Sequence, residues 1–255
     1  MNTLTVKDIK DRLQEVKDAQ DPFIAQCVND PRKSVQTLVE QWLKKQAKEK
    51  ALKEQWVNMT SYERLARNKG FRLIAGVDEV GRGPLAGPVV ASAVILQKEC
   101  EILGLTDSKK LSEKKREEYY ELIMKEALAV GIGIVEATVI DEINIYEASK
   151  MAMVRAIQDL SDTPDYLLVD AMTLPLDTAQ ASIIKGDAKS VSIAAGACIA
   201  KVTRDRMMSA YAETYPMYGF EKNKGYGTKE HLEALAAYGP TELHRKTFAP
   251  VQSFR

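Results

Sequence analysis

The sequence is poor in the side chains that carry soft-metal and nucleophilic chemistry. Among 255 residues there are two histidines, His231 and His244, and three cysteines, Cys27, Cys100 and Cys198. Two histidines near the C-terminal end, without an HExxH helix, exclude the common zinc hydrolase arrangement, and no GxSxG elbow is present to support a Ser-His-Asp triad. An odd number of widely spaced cysteines offers neither a disulfide framework nor a CxxC clip, so a reducing, cytoplasmic setting is expected. No apolar run approaches the length that spans a bilayer, and the charged start MNTLTVKDIKDRLQEV has no leader-like apolar core, so no membrane association is expected. The formal net charge is zero, which excludes a polyanion partner recognised by bulk charge alone.

By elimination, acid-base or metal chemistry falls on Asp and Glu, and the acids are unevenly placed. Residues 71–186 carry 19 acidic against 12 basic side chains, whereas residues 1–70 carry 14 basic against 10 acidic and residues 187–255 carry 10 against 7. An acidic centre between mildly basic ends suits a metal site flanked by phosphate contacts, although a solvated surface gives the same sums.

Hydrophobic spacing divides the chain near residue 70. Residues 1–70 read as a helical extension: TVKDIKDRLQEV is a short amphipathic run, Asp21-Pro22 and Asp30-Pro31 are breaks, and SVQTLVEQWLKKQAKEKALKEQW is a longer helix. From Phe71 the pattern turns to strands, FRLIAGVD and then PVVASAVIL. SEKKREEYYELIMKEALA reads as a helix capped by Ser112, VGIGIVEATVI as a third strand, and residues 141–160 as a helix. YLLVD and ASIIK are short apolar strands, and SVSIAAGACIAKVTRDRMMSAYAETY is a long helix of small apolar residues, hence buried. The tail reads as a loop, GFEKNKGYGT, and a helix, KEHLEALAAYG. The result is an α/β fold with a mixed sheet over residues 71–255.

Carboxylates stand where such sheets place their sites. Asp78 and Glu79 close the first strand before GRGPLAG, and both can face one metal only if that strand ends or bulges there. Asp170 ends YLLVD after four apolar residues, so its carboxylate must be hydrated, hydrogen-bonded or metal-bound. Asp187 precedes the long helix, where a capping role explains it as well as a functional one. Oxygen ligands without His or Cys suit Mg²⁺ or Mn²⁺ better than zinc. GRGPLAG is not a dinucleotide loop: its glycines are spaced GxGxxxG, Pro84 sits where a helix should open, and a strand follows. Lys222, Lys224 and Tyr226 in the late loop could contact a nucleic acid or simply be surface residues.

Taken together, GVDEVGRGPLAGPVVASAVIL, TDSKKLS, YLLVDA, IIKGDAKSVSIAAGACIAKVTRDRMM and KGYGTKEHLEALAAYGPTELHRKTFAPV resemble ribonuclease H type 2, called ribonuclease HII in bacteria, in colinear order over residues 71–251. The resemblance implies a ribonuclease H-like fold, a central five-stranded mixed sheet flanked by helices. It implies endonucleolytic hydrolysis of RNA in RNA/DNA hybrids and 5′ of ribonucleotides embedded in duplex DNA, by two divalent ions, Mg²⁺ or Mn²⁺, leaving 3′-hydroxyl and 5′-phosphate ends. The expected biological roles are ribonucleotide removal and RNA primer processing. Carried over by position, Asp78, Glu79, Asp170 and Asp187 are the metal-binding quartet. Gly81, Arg82 and Gly83 approach the ribonucleotide and its 2′-hydroxyl, Tyr226 stacks at the RNA–DNA junction, and Lys109, Lys110, Lys189 and Ser190 touch phosphate. A monomer is expected. The alternatives are another ribonuclease H-like nuclease that cuts all-DNA substrates and a non-catalytic hybrid binder. The helical front is an addition to the minimal family pattern, with no role assigned.

Overall fold

The computed structural model describes residues 4–18 and 20–254. The chain forms two compact units, 1–55 and 56–255. In the first, α1 (Val6–Glu15) opens with a reciprocal capping box between Thr5 and Asp8, and α2 (Pro22–Val28) begins on the Asp21 cap with proline in its first turn. These helices and the first part of α3 (Lys33–Met59) enclose a small core that includes Ile9, Leu13, Phe23, Ile24, Val35 and Trp42.

The second unit takes in the end of α3 and α4 (Ser61–Asn68), followed by β1 (Ile74–Val80) and β2 (Val89–Leu96). Then come α5 (Glu113–Glu126), β3 (Ala127–Val135), α6 (Ala137–Ile143), α7 (Ile145–Gln158), β4 (Tyr166–Asp170) and β5 (Gln180–Ile183). The long α8 (Val191–Thr214), a four-residue α9 (Phe220–Asn223) and α10 (Lys229–Tyr238) complete it. The change from helix to strand falls just after residue 70. The division into compact units falls earlier because Met59 and Ala66 are buried against groups of the sheet and α8.

The strands form one mixed sheet in the order β3-β2-β1-β4-β5, antiparallel on the β3-β2-β1 side and parallel from β1 to β5. Successive side chains along β2 take opposite faces. Ala91, Ala93 and Ile95 pack with Ala148, Ala152 and Met153 of α7, while Val94 and Leu96 pack with Ile123 of α5 and Ala194, Ala195 and Cys198 of α8. Each large aliphatic side chain buried in these layers contributes about 1.5–3 kcal/mol relative to exposure. The small residues of α8 let it lie directly on β1. A Cβ at Gly76 would stand 2.0 Å from the Ser192 backbone, so any side chain there would lift the helix off the strand.

Two segments differ from the sequence reading. The run ALAV has strong helix formers but continues as β3, because Ala127 and Ala129 pair with Leu96 and Ile95 of β2. ATVI, β-branched in part, instead opens α6, with Ala137 and Ile140 turned into the core. The following helix is interrupted at Asn144, whose side chain accepts from the N–H groups of Tyr146 and Glu147 and so starts α7. The late loop contains α9, a single turn absent from the sequence reading.

Candidate active site

The parallel part of the sheet sets the site. The β1–β2 ladder runs in register through Val80↔Val90, so the strand neither ends nor bulges at Asp78-Glu79 as the sequence reading required. Its other edge does end there: β1 and β4 pair only as far as Val77↔Val169. Beyond that point the two strands part, and Asp78, Glu79 and Asp170 all line the opening. Asp187 reaches it from the short 3₁₀ turn Gly186–Ala188 that leads into α8. Capping does not account for Asp187, because Ser190 supplies the α8 cap, accepting from the Ile193 N–H at 3.2 Å.

The cleft has a volume of about 570 Å³ and brings together Gly81, Arg82, Gly83, Lys109 and Tyr226 with the four acids. A Cβ on Gly83 would be 3.7 Å from Tyr226 Cε1, which places the tyrosine ring beside the glycine loop. Tyr226 is 47 % exposed, so its ring is available to a ligand. Lys110 and Lys189 are exposed and do not line the cleft. Ser190 is not at the surface at all: it is fully buried and donates its hydroxyl to Glu63 Oε1 at 2.6 Å, which contradicts a phosphate contact through that hydroxyl.

The acids are held in tension. Burial, then the charges of Glu79 and Asp170, push the Asp78 carboxyl well above its ordinary range. Burial also raises Glu79, against the opposing pull of Arg82, whose Nη1 lies 3.3 Å from Glu79 Oε1. Asp187 is raised by burial and by the neighbouring charges of Asp107 and Asp170. Backbone donors hold two of the groups: Asp78 Oδ1 accepts from Glu79 N–H at 2.7 Å and Asp170 Oδ1 from Gly186 N–H at 2.6 Å. Glu79 Oε2 is buried without a hydrogen-bond partner among the described residues. Among those residues no three acids, histidines or cysteines are drawn closely enough to hold an ion as they stand. The donor set nevertheless fits a hard divalent cation: it is all oxygen, mutually repelling, largely buried, and has an oxygen with no other partner.

Two buried arginines fix the glycine loop from beneath. Arg245 donates Nη1 to Arg82 O at 2.9 Å, Nη2 to Gly81 O, and both Nε and Nη2 to Gly87 O at 3.1 and 2.9 Å. Arg204 donates to Pro88 O at 2.9 Å, Ala86 O at 3.0 Å and Lys224 O at 2.8 Å. Burial lowers these groups to about 9 and about 10, which leaves both charged at neutral pH. Gly81 itself has φ +93°, and a Cβ there would stand 2.3 Å from Arg204 Nε, so only glycine fits between the loop and its clamp.

A histidine pair secures the Tyr226 loop. His231 Nδ1 is 2.9 Å from Tyr226 O, His231 Nε2 is 3.0 Å from His244 Nε2, and His244 Nδ1 accepts from Thr241 N–H at 3.0 Å. One set of neutral tautomers satisfies this chain: His244 donates through Nε2 to His231, which donates through Nδ1 to the Tyr226 carbonyl. Consistently, burial lowers His231, and burial with the neighbouring imidazole lowers His244 to about 4. The two histidines are therefore structural.

Sequence reasoning missed Lys185 and Lys201 on the cleft wall, Asp107 beside Asp187, and Glu63, Arg204 and Arg245 behind the cleft. Asp107 and Lys201 stand inside the motifs TDSKKLS and IAKVTRD, which is the signal that could have found them. Lys185, Arg204 and Arg245 likewise fall inside quoted motifs, whereas Glu63 lies outside all of them, and the contacts that Glu63, Arg204 and Arg245 make span the chain and leave no local pattern.

Comparisons with known proteins identify the family. The ribonuclease HII family model matches residues 75–251, and the model of the ribonuclease HII N-terminal domain matches residues 5–67. The chain belongs to the ribonuclease HII family. It is 98% identical to ribonuclease HII of Bacillus subtilis (strain 168) over the whole of both chains. It is 80% identical, again over the whole of both, to that of Bacillus velezensis (strain DSM 23117 / BGSC 10A6 / LMG 26770 / FZB42). Among solved structures, the ribonuclease H2 from Pyrococcus horikoshii OT3 matches with a TM-score of 0.62 at 26% identity, covering 72% of this chain and 97% of that one. The protein is thus a ribonuclease H, a metal-dependent hydrolase of a family that acts on RNA/DNA hybrids. Among the described residues no helix is long and apolar enough to cross a membrane.

Proposed function

We propose that the cleft hydrolyses the phosphodiester 5′ of a ribonucleotide, in RNA/DNA hybrids and at single ribonucleotides in duplex DNA, leaving 3′-hydroxyl and 5′-phosphate ends. The observation that carries this reading is the convergence of Asp78, Glu79, Asp170 and Asp187 on the cleft that also holds Gly81-Arg82-Gly83 and Tyr226. The four carboxylates would hold the divalent metal, Mg²⁺ or Mn²⁺. Two such ions would supply Lewis acidity for activating a water and stabilising the leaving 3′ oxygen. No protein nucleophile is required.

The chain's own residues do the rest. The carbonyls of Gly81, Arg82 and Gly87 are turned to the buried arginines, and among the described residues none of the backbone hydrogen bonds outside regular elements uses the N–H of Arg82 or Gly83. Those N–H groups are free to meet the ribonucleotide, whose 2′-hydroxyl is the group that separates RNA from DNA. Glycine at 81 and 83 permits the close approach. Arg82 and Lys109 on the cleft wall meet the phosphates nearest the cut. Lys110 and Lys189, on the exposed surface, meet backbone phosphates farther along the strand. Ser190 acts through the cap it provides to α8. Tyr226 stacks on the sugar at the RNA–DNA junction. The protein acts as a monomer in the cytoplasm, in ribonucleotide removal and primer processing.

Tyr226→Ala tests the substrate reading. It is expected to lower cleavage at a single embedded ribonucleotide at least tenfold while lowering cleavage of an all-RNA hybrid strand by threefold or less, measured by initial rates on matched duplexes. Stacking against one ring accounts for a difference of this size, about 1–3 kcal/mol. Equal losses on the two substrates count against junction reading.

A further inference from the structure

Glu63 is a charged residue that neither the cleft nor the glycine loop uses, yet it is only 2 % exposed. It sits on α4, ahead of the sheet, where Tyr62 and Ala66 pack with Ile74, Leu168, Ile183 and Ile193. Its Oε1 accepts from Ser190 Oγ at 2.6 Å and from Ser192 N–H at 3.0 Å. Ser190 Oγ in turn accepts from Ile193 N–H at 3.2 Å. One carboxylate therefore completes the start of α8 from a distant part of the chain: Ser190 serves the third helical N–H, Glu63 serves the second, and Glu63 orients the serine hydroxyl so that it can do so. A negative charge at this end also matches the helix dipole.

The segment so held is the turn that carries Asp187. On one side, Asp170 Oδ1 binds Gly186 N–H; within the turn, Lys189 N–H and Ser190 N–H both return to Gly186 O at 2.9 and 2.8 Å. On the other side Glu63 holds Ser190 and Ser192. Asp187 lies between these two tethers. Lys185, which precedes the turn, is left-handed at φ +57°, a conformation that needs its surroundings to hold it.

Resting on the assignment of Asp187 to the metal site, we propose that Glu63 is a positioning residue: α4 reaches behind the cleft and fixes the Asp187 turn for metal binding and cleavage. The front of the chain, residues 56–68 at least, is then part of the catalytic machinery's support and not an appendage to it. Removing the carboxylate leaves a buried hydroxyl and a buried N–H without an acceptor, and the turn gains alternatives to its working position. Glutamine keeps an oxygen that can accept both bonds.

The full-length chain carries the test, with Glu63→Ala, Glu63→Gln and Ser190→Ala. Glu63→Ala is expected to speed amide hydrogen exchange of residues 186–193 at least tenfold while residues 89–96 exchange as in the parent. It should weaken Mn²⁺ binding at least fivefold by isothermal titration calorimetry. It should also lower kcat on an RNA/DNA hybrid at least tenfold with KM within twofold. Glu63→Gln should stay within threefold of the parent in all three. Unchanged exchange at 186–193, or faster exchange with unchanged kcat, overturns the proposal. If Glu63→Ala does not fold, Ser190→Ala decides: a threefold change in exchange and kcat in the same directions supports it, and no change overturns it. Asp187→Asn runs alongside: full activity there sinks the site assignment, whereas an inactive Asp187→Asn beside a normal Glu63→Ala sinks the Glu63 role alone.

Discussion

Asp78→Asn is expected to lower the rate of hybrid cleavage at least a thousandfold and, without added metal, to raise the melting temperature. Both effects have one origin. Asp78 is 6 % exposed and shares the cleft with three other acids, and burial with the charges of Glu79 and Asp170 raises its carboxyl. A carboxyl raised in the folded state favours folding at low pH, and this contribution is lost as pH rises through the folded value, so a carboxyl in this setting works against the fold above that value. Asparagine removes that charge while keeping shape and the acceptor for Glu79 N–H. The gain should be about 1 kcal/mol, a shift of roughly 2–4 °C for a unit of this size. The loss of rate, about 4 kcal/mol in activation free energy, follows from removing the most deeply buried of the four acids proposed to hold the metal. Metal-free thermal melts and single-turnover cleavage check the two halves. A mutant that melts lower than the parent and still cleaves would contradict both.

Arg245→Ala should produce the largest loss of stability of any single change near the cleft, about 4 kcal/mol or more. The guanidinium is fully buried and serves the carbonyls of Gly81, Arg82 and Gly87, with its face 5.0 Å from the Phe248 ring centroid. Truncation strands three acceptors at about 1–3 kcal/mol each and opens a void. Lysine should not rescue it, because an ammonium cannot present the planar fork that meets three carbonyls at once. Whatever fraction of Arg245→Lys folds should discriminate poorly between ribonucleotide and deoxyribonucleotide, since the Arg82 and Gly83 N–H groups lose their fixed direction. Urea denaturation read by circular dichroism, with cleavage of matched hybrid and all-DNA duplexes, tests this. A lysine variant within 1 kcal/mol of the parent would show that the clamp needs charge alone.

The parts of the fold that local pattern controls are legible in the amino-acid sequence. YLLVD is a strand end to end because its apolar residues are buried on both faces and its acid marks the point where β1 and β4 part. The long α8 is recognisable as buried from its small residues, which is how Ser192 and Gly196 come to pass over β1. Where tertiary pairing overrides propensity, the local pattern misleads: EALA has helix-forming residues, yet Ala127 and Ala129 pair with β2. The same holds within the cleft. Acids at strand ends stand out in a sequence with two histidines, and so do the GRG motif and Tyr226 in its glycine-rich loop. Nothing local announces that Arg245 lies under residue 82 or Glu63 under residue 190, because those contacts join residues 163 and 127 positions apart. The buried supports of a site are long-range facts, and the burial of three charged residues outside the quartet, Glu63, Arg204 and Arg245, is what exposes them.

The most direct test of the central assignment is a DNA duplex carrying one ribonucleotide, incubated with the protein in Mg²⁺ or Mn²⁺ and again in EDTA, with the product ends mapped. Cleavage only with the divalent ion, 5′ of the ribonucleotide, giving a 3′-hydroxyl and a 5′-phosphate, with the all-DNA duplex left whole, is the expected result. Cleavage that persists in EDTA, or cutting of the all-DNA duplex at a similar rate, would contradict a carboxylate-held metal site that reads the 2′-hydroxyl.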